Sequence, residues 1–176
     1  MWDRLKLQAE EPPAGDLPRA AVLAAIYPDE VEDLRLILTK RPDTMPTHAG
    51  HIALPGGRPS PEDSGPVATA LREAKEEVGL DPGLVEVLGF LPAIHTVEFS
   101  LMVVPVVGRL ATEPELHPSS REVAKVLTPR LEDLADEAMW RFEMWHEHQV
   151  WFFELDGEVL WGATAAMVRA LLDLGA

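Results

Sequence analysis

The sequence predicts an α/β (α+β) fold in which a mixed central sheet is covered by helices on both faces, an α/β/α sandwich. Three observations predict it. Short apolar runs of strand length recur along the chain, among them "RAAVLAAIYP" at 19–28, "DLRLILTKR" at 33–41 and "SLMVVPVVGRL" at 100–110. Segments of helical period interrupt and follow them, "PVATALREAKEEV" at 66–78 and "TAAMVRALLDLG" at 164–175. The 176 residues, 47% of them apolar, suffice for one well-buried core and are too few for two comfortable ones. Residues 1–176 are therefore read as a single domain, and strands interspersed with helices pack as a sheet between helical layers.

Taken in order, residues 1–18 read as a short N-terminal helix and a linker rich in Pro, Gly and charge. The runs 19–28 and 33–41 pair as strands across the polar turn "DEVE". "PDTMPTHAG" (42–50) is a loop, because Pro42 and Pro46 donate no ladder hydrogen bond. "HIALPGGRPSPEDSG" (51–65) is a brief strand followed by a turn too dense in Gly and Pro to hold a ladder. Pro66 suits a first helical position and Gly79 the residue past the last, so 66–78 is a helix. Its stripe Val67, Leu71, Ala74 and Val78 is expected to face the core, with Glu73, Glu76 and Glu77 on the other side. Strands follow at 84–94, 100–110 and 122–129, then a short helix in "PRLEDLAD", a two-stranded hairpin over 141–162 and a closing amphipathic helix.

Composition narrows the partners. Fifteen Lys and Arg face 30 Asp and Glu, a formal net charge of -15. Nucleic acids and anionic membranes attract a basic field, so neither is an expected partner. The chain lacks cysteine, which leaves oxygen and imidazole as metal donors and Mg²⁺ or Mn²⁺ as the natural ions. The N-terminus does not read as a secretory signal, and no apolar run reaches spanning length, so a cytoplasmic protein is expected.

The helix at 66–78 carries the chemistry. Like charges three and four residues apart on a helix repel, yet Glu73, Glu76 and Glu77 stand at i, i+3 and i+4 behind a Gly-Gly pair at 56–57. A solvated acidic face is the bland account of this cluster. Convergent carboxylate oxygens are also what a hard divalent cation requires, and stored repulsion then becomes affinity for metal.

These residues resemble the signature of the Nudix hydrolases. Gly56, Gly57, Asp63 and "REAKEEVGL" from Arg72 to Leu80 fit its loop-helix-loop, with Asp63 in place of the usual Glu and one extra residue before Arg72. Both departures are shared by the coenzyme A pyrophosphatase-like branch, which the chain also resembles in "LTKR", "THAGHIALPGG", "VPVVGRL", "EVAKV" and "LWGATA", in that branch's order. Pro46, His51 and Leu54 stand where the branch favours Arg, Gln and Phe. The resemblance implies Mg²⁺-dependent or Mn²⁺-dependent cleavage of a nucleoside diphosphate derivative: coenzyme A or its thioesters, or alternatively ADP-ribose, NADH or another dinucleotide. A catalytically silent, nucleotide-binding Nudix module is the alternative of another class, and the three retained glutamates argue against it.

Carried onto this chain, the resemblance makes Glu73, Glu76 and Glu77 metal ligands, with a backbone oxygen of Gly57 or Gly56, and Arg72 the group that orients them. Glu122 is the candidate general base, and Arg41 and His48 are candidate substrate contacts beside Gly56 and Gly57. Trp140, Trp145, Trp151 and Trp161, with Phe142, Phe152 and Phe153, read first as core. Stacking on adenine and a homodimer interface are the alternatives.

Overall fold

The computed structural model describes residues 2, 5–13, 15, 18–28, 33–96 and 100–174. In chain order its strands are β1 (Arg19–Pro28), β2 (Leu34–Leu36), β3 (Leu38–Lys40), β4 (Ile52–Ala53) and β5 (Gly56–Gly57), followed by helix α1 (Pro66–Val78). Then come β6 (Glu86–Phe90), β7 (Ile94–Thr96), β8 (Leu101–Arg109) and β9 (Lys125–Leu127), and the single-turn helix α2 (Leu131–Leu134). The chain closes with β10 (Trp140–Trp145), β11 (His148–Leu155), β12 (Glu158–Trp161) and helix α3 (Gly162–Leu171).

Strand β1 is central. It runs parallel to β8, from Arg19 opposite Met102 to Ile26 opposite Arg109. Its other edge is shared, β5 pairing antiparallel with Ala21 and Val22 and β2 with residues 26 to 28. The far edge of β8 is shared in the same way by β6 and β7. Near-continuous apolar sequence in β1 follows from burial on both faces. Ala21, Leu23, Ala25 and Tyr27 pack in one cluster with Ala70, Ala74 and Val78 of α1, while Ala24 and Ile26 share the other cluster with Met167, Val168 and Leu171 of α3. This is the expected sandwich, with a second sheet β4-β3-β9 and a third β10-β11-β12 beside it.

Five expectations are corrected. The run 33–41 is not one strand: Ile37, fully buried and donating its N–H to the Ala25 carbonyl at 3.0 Å, separates β2 in the main sheet from β3 in the second. The segment 84–94 likewise divides into β6 and β7, and of 122–129 only Lys125–Leu127 is strand. The Gly-Gly turn does hold a ladder, because a strand without side chains can lie against β1 where a Cβ on Gly56 would stand 2.3 Å from the Ala21 carbonyl oxygen. The expected hairpin is a three-stranded meander, whose second turn at Asp156-Gly157 (φ 52° and 80°) is the hairpin signal of an Asp-Gly pair.

Helix α1 spans the expected residues, with Pro66 first and Gly79 closing it at φ 70°. The N-terminal helix expected within 1–18 falls partly outside the described residues; inside them, Gln8 bridges to Phe90. The "DEVE" turn at 29–32 lies wholly outside. Among the described residues, no helix is long and apolar enough to cross a membrane.

Candidate active site

Helix α1 is rotated from the orientation its Val67, Leu71, Ala74, Val78 stripe suggested. Its buried residues are Thr69, Ala70, Ala74, Glu77 and Val78, so Glu77 belongs to the core-facing side. The reason is the neighbour: α1 packs on β1 through small alanines and over the bare backbone of β5, and a carboxylate can reach down where no side chain rises to meet it. Glu77 is only 7% exposed, and its Oε2 accepts the Gly56 N–H at 3.2 Å. Gly57 lies under Glu73 so closely that a Cβ there would stand 2.6 Å from the Glu73 carboxyl carbon.

The electrostatics follow from this burial. Glu77 is pushed up to about 7, first by loss of solvent and then by the charges of Glu73 and Glu122, against the Gly56 N–H and the Arg41 charge, which hold it down. Glu73 is also raised, chiefly by burial, with Arg72 opposing. Glu76 is different. It is 56% exposed and turned onto Arg72, its Oε2 3.2 Å from the guanidinium.

Arg72 is the hub of the opposite flank. Its Nη1 meets Glu73 Oε1 at 2.9 Å, its Nε and Nη2 fork onto Asp63 at 3.0 to 3.2 Å, and Nη2 also donates to the Arg58 carbonyl at 3.0 Å. Asp63 is nearly enclosed, 6% exposed at its side chain, and further accepts the Ser60 N–H and the Thr69 hydroxyl. The guanidinium holds it well below the usual carboxylate range, at about 2. Arg72 thus touches Asp63, Glu73 and Glu76 together, and Asp63 is the partner that the sequence reading left without a role.

Glu122 arrives from a loop suspended on the end of α1. The His117 N–H donates to the Val78 carbonyl at 2.7 Å and the Ser119 N–H to that of Glu77 at 2.8 Å, while the Glu122 N–H returns to Ser119 at 3.0 Å. The loop thereby uses the helix's orphan carbonyls and leaves Glu122 exposed, within electrostatic reach of Glu73 and Glu77. Arg41 lies at the other margin, its charge acting on Glu77 and its buried Nε without a hydrogen-bond partner. His48 belongs to a different group, its ring 5.2 Å from that of His51, which in turn meets the Trp161 ring at 4.9 Å.

The three glutamates do not converge as their spacing suggested. Among the described residues, no three acidic or histidine side chains stand close enough to cage an ion as they are placed, since Arg72 holds Glu73 and Glu76 on one flank while Glu77 sits on Gly56. The donor set still fits a hard divalent cation. The charges of Glu73 and Glu122 raise the proton affinity of Glu77, those of Glu76 and Glu122 raise that of Glu73, and the bare Gly57 backbone lies against Glu73.

Residues 17–155 match the family model of the NUDIX domain. The chain belongs to the Nudix hydrolase family. Over 163 residues it is 40% identical to "Nudix hydrolase 22, chloroplastic" of Arabidopsis thaliana, an alignment covering 86% of this chain and 54% of that protein. Over 176 residues it is 34% identical to "Uncharacterized Nudix hydrolase NudL" of Photorhabdus laumondii, covering 96% and 92%. The chain therefore spans about half the length of the plant relative and nearly all of the bacterial one. A MutT/nudix family protein from Enterococcus faecalis shares the fold, with a TM-score of 0.62 at 17% identity over 94% of this chain and 64% of that one. In this Nudix chain, α1 is the family's signature helix. Its division into an anchored flank and a buried flank had one signal in the sequence: Ala70 and Ala74 mark the close-packed line, and Glu77 continues it at i+7.

Proposed function

We propose that this Nudix chain hydrolyses the diphosphate bond of coenzyme A or its thioesters, releasing 3′,5′-ADP and 4′-phosphopantetheine, with Mg²⁺ or Mn²⁺ held by Glu73, Glu76, Glu77 and a backbone oxygen of Gly57. The observation that carries the chemistry is the buried Glu77 beside Glu73 and Glu122, a concentration of carboxylates that a divalent cation would relieve. The substrate rests on the branch segments from "LTKR" to "LWGATA" in their order along the chain.

A bound divalent ion supplies charge neutralisation at the phosphoryl oxygens and an acidified water. The chain's own residues do the rest. Arg72, fixed by Asp63, sets the rotamer of Glu73 and tethers Glu76. Gly56 orients Glu77 through its N–H. Glu122 takes the proton of the attacking water as the new P–O bond forms, and the bridging P–O bond breaks with its electron pair leaving on the departing phosphate. Arg41 offers its guanidinium to the substrate's phosphate oxygens.

Pro46, His51 and Leu54 favour a second reading, a Nudix pyrophosphatase for ADP-ribose, NADH or another dinucleotide. Product analysis with Mg²⁺ on coenzyme A, ADP-ribose, NADH and a dinucleoside polyphosphate separates the two. Cleavage of coenzyme A to 3′,5′-ADP, lost in Glu77→Gln, is the expected result. Preference for another substrate moves the specificity to the second reading. Absence of metal-dependent turnover on all four moves the reading to a binding module or to a substrate outside this set.

A further inference from the structure

The register of the third sheet sorts the late aromatics into two groups. Trp140, Phe142, Trp151, Phe153 and Leu160 project to one face, and Trp145, Phe152 and Trp161 to the other. The first face is covered at its inner end, where Trp140, Phe153 and Leu160 belong to the core, Trp151 packs against it and the Arg169 guanidinium lies 3.5 Å from the Trp151 ring centre; Phe142, further out on the same face, is exposed. On the second face Phe152 is buried, with the Arg141 guanidinium 4.7 Å from its ring centre, while Trp161 is half-buried and Trp145 remains 46% exposed; none of the three belongs to either core cluster.

These three rings form a platform. Phe152 and Trp161 lie nearly parallel, 9° apart in plane and 6.2 Å between centres, and Trp145 is 5.6 Å from Trp161. His51 meets Trp161 at an interplanar angle of 65°, and His48 extends the row. Arg41 links the platform to the carboxylate site. The Arg41 N–H donates to the His51 carbonyl at 3.0 Å, and the same residue's guanidinium acts on Glu77. Gly56 is five positions on from His51, a reach of at most ~18 Å.

We propose that the platform of Trp145, Phe152, Trp161 and His51 is the subsite for the nucleobase of the diphosphate substrate, with Arg41 between it and the metal-binding carboxylates; this rests on the hydrolase reading above. Partly exposed, mutually inclined aromatic rings near a guanidinium suit a planar ring joined to a phosphate chain, because every base offers a π-face to one of them. It also places the substrate selectivity in His51, one of the positions where the chain departs from the branch it resembles.

The test compares binding of ADP and of inorganic pyrophosphate in the presence of Mg²⁺, by calorimetry, in the full chain and in Trp145→Leu and His51→Gln. Wild type is expected to bind ADP more tightly than pyrophosphate, with tryptophan fluorescence quenched by ADP alone. The ratio of the two affinities should fall on the order of tenfold in each variant. An unchanged ratio in both variants, or a wild type that binds the two ligands equally, overturns the subsite and leaves the face as a minor aromatic cluster. A ratio that falls as expected in a protein with no turnover on any diphosphate supports the subsite and overturns the hydrolase reading alone.

Discussion

The two flanks of α1 treat the same chemical group in opposite ways. On the Asp63 flank a carboxylate is nearly enclosed but receives a forked guanidinium, a backbone N–H and a hydroxyl, and it is held down at about 2. On the Glu77 flank a carboxylate is more deeply buried, receives one backbone N–H and has two further carboxylates within electrostatic reach, and it rises to about 7. Burial and the supply of positive charge act together: half-buried Asp63 is ion-paired to a guanidinium, whereas for buried Glu77 the loss of solvent outweighs the Gly56 N–H and the Arg41 charge. A carboxylate whose cation comes from the chain is an anchor; one whose cation does not is poised to take an ion from solution. Arg72 marks the frontier, since it reaches Asp63, Glu73 and Glu76.

The largest expected effect breaks the Glu77 side. Glu77→Gln keeps an acceptor for the Gly56 N–H but removes a ligand, and kcat should fall by about three orders of magnitude, roughly 4 kcal/mol of transition-state stabilisation. Without metal the same variant should be more stable than wild type at pH 8. The raised carboxyl of the folded protein binds a proton that the unfolded chain has released, so wild-type stability declines as pH rises from about 4.5 through 7. The loss amounts to about 2–4 kcal/mol. Urea unfolding in EDTA at pH 5 and pH 8 measures it, and an equal wild-type stability at both pH values would show that Glu77 is not strained by its surroundings. Saturating Mg²⁺ should remove the stability gain of the variant, because only wild type retains the full ligand set.

A smaller loss is expected at the loop that hangs on the end of α1. Glu122→Gln should lower kcat about 10²-fold while leaving substrate KM nearly unchanged, the pattern of a lost general base. The acidic limb of the pH–rate profile should lose its dependence on one group. A variant with near-normal kcat would remove Glu122 from the chemistry and reduce it to an electrostatic neighbour of Glu73 and Glu77.

The two flanks also differ in how far they could be read from sequence. The limits of α1 were legible because Pro66 and Gly79 are local signals, and β1 and β8 because their apolar runs are long enough to be unambiguous. The split of 33–41 at Ile37 was not, since an apolar run does not say which of two sheets each half joins. Strand β5 was hidden for the opposite reason: two glycines carry no side-chain pattern, and their fitness for a ladder depends on the approach of β1. The glutamates were found by spacing. Spacing alone could not divide them, because the exposed Glu76 and the buried Glu77 are distinguished only by what lies opposite them, Arg72 for one and the Gly56 backbone for the other. Asp63 was recognised as a signature position, but its hold on Arg72 is a contact nine residues distant through an irregular loop.

The smallest effect tests that anchor. Asp63→Asn retains an acceptor for the Ser60 N–H and the Thr69 hydroxyl, so the 58–65 loop should keep its course, but the charge that fixes Arg72 is gone. Arg72 then has only Glu73 and Glu76 to pair with, and its stronger engagement there competes with the metal for the same oxygens. The expected result is a fall in activity of about tenfold at limiting Mg²⁺, the lower end of what an orienting contact contributes, restored in part by raising the Mg²⁺ concentration. Its pH signature is opposite to that of Glu77. A carboxylate held down to about 2 contributes stability that is present above about pH 4 and is lost as pH falls towards 2, so wild type and Asp63→Asn should differ at pH 7 and converge in acid. Paired unfolding curves from pH 7 down to about pH 2 read this directly. Convergence in acid, beside the alkaline decline that Glu77 imposes, would establish that the 58–65 loop and α1 hold two carboxylates of contrary purpose; a constant difference across that range would mean that Asp63 acts through the shape of its loop and not through its charge.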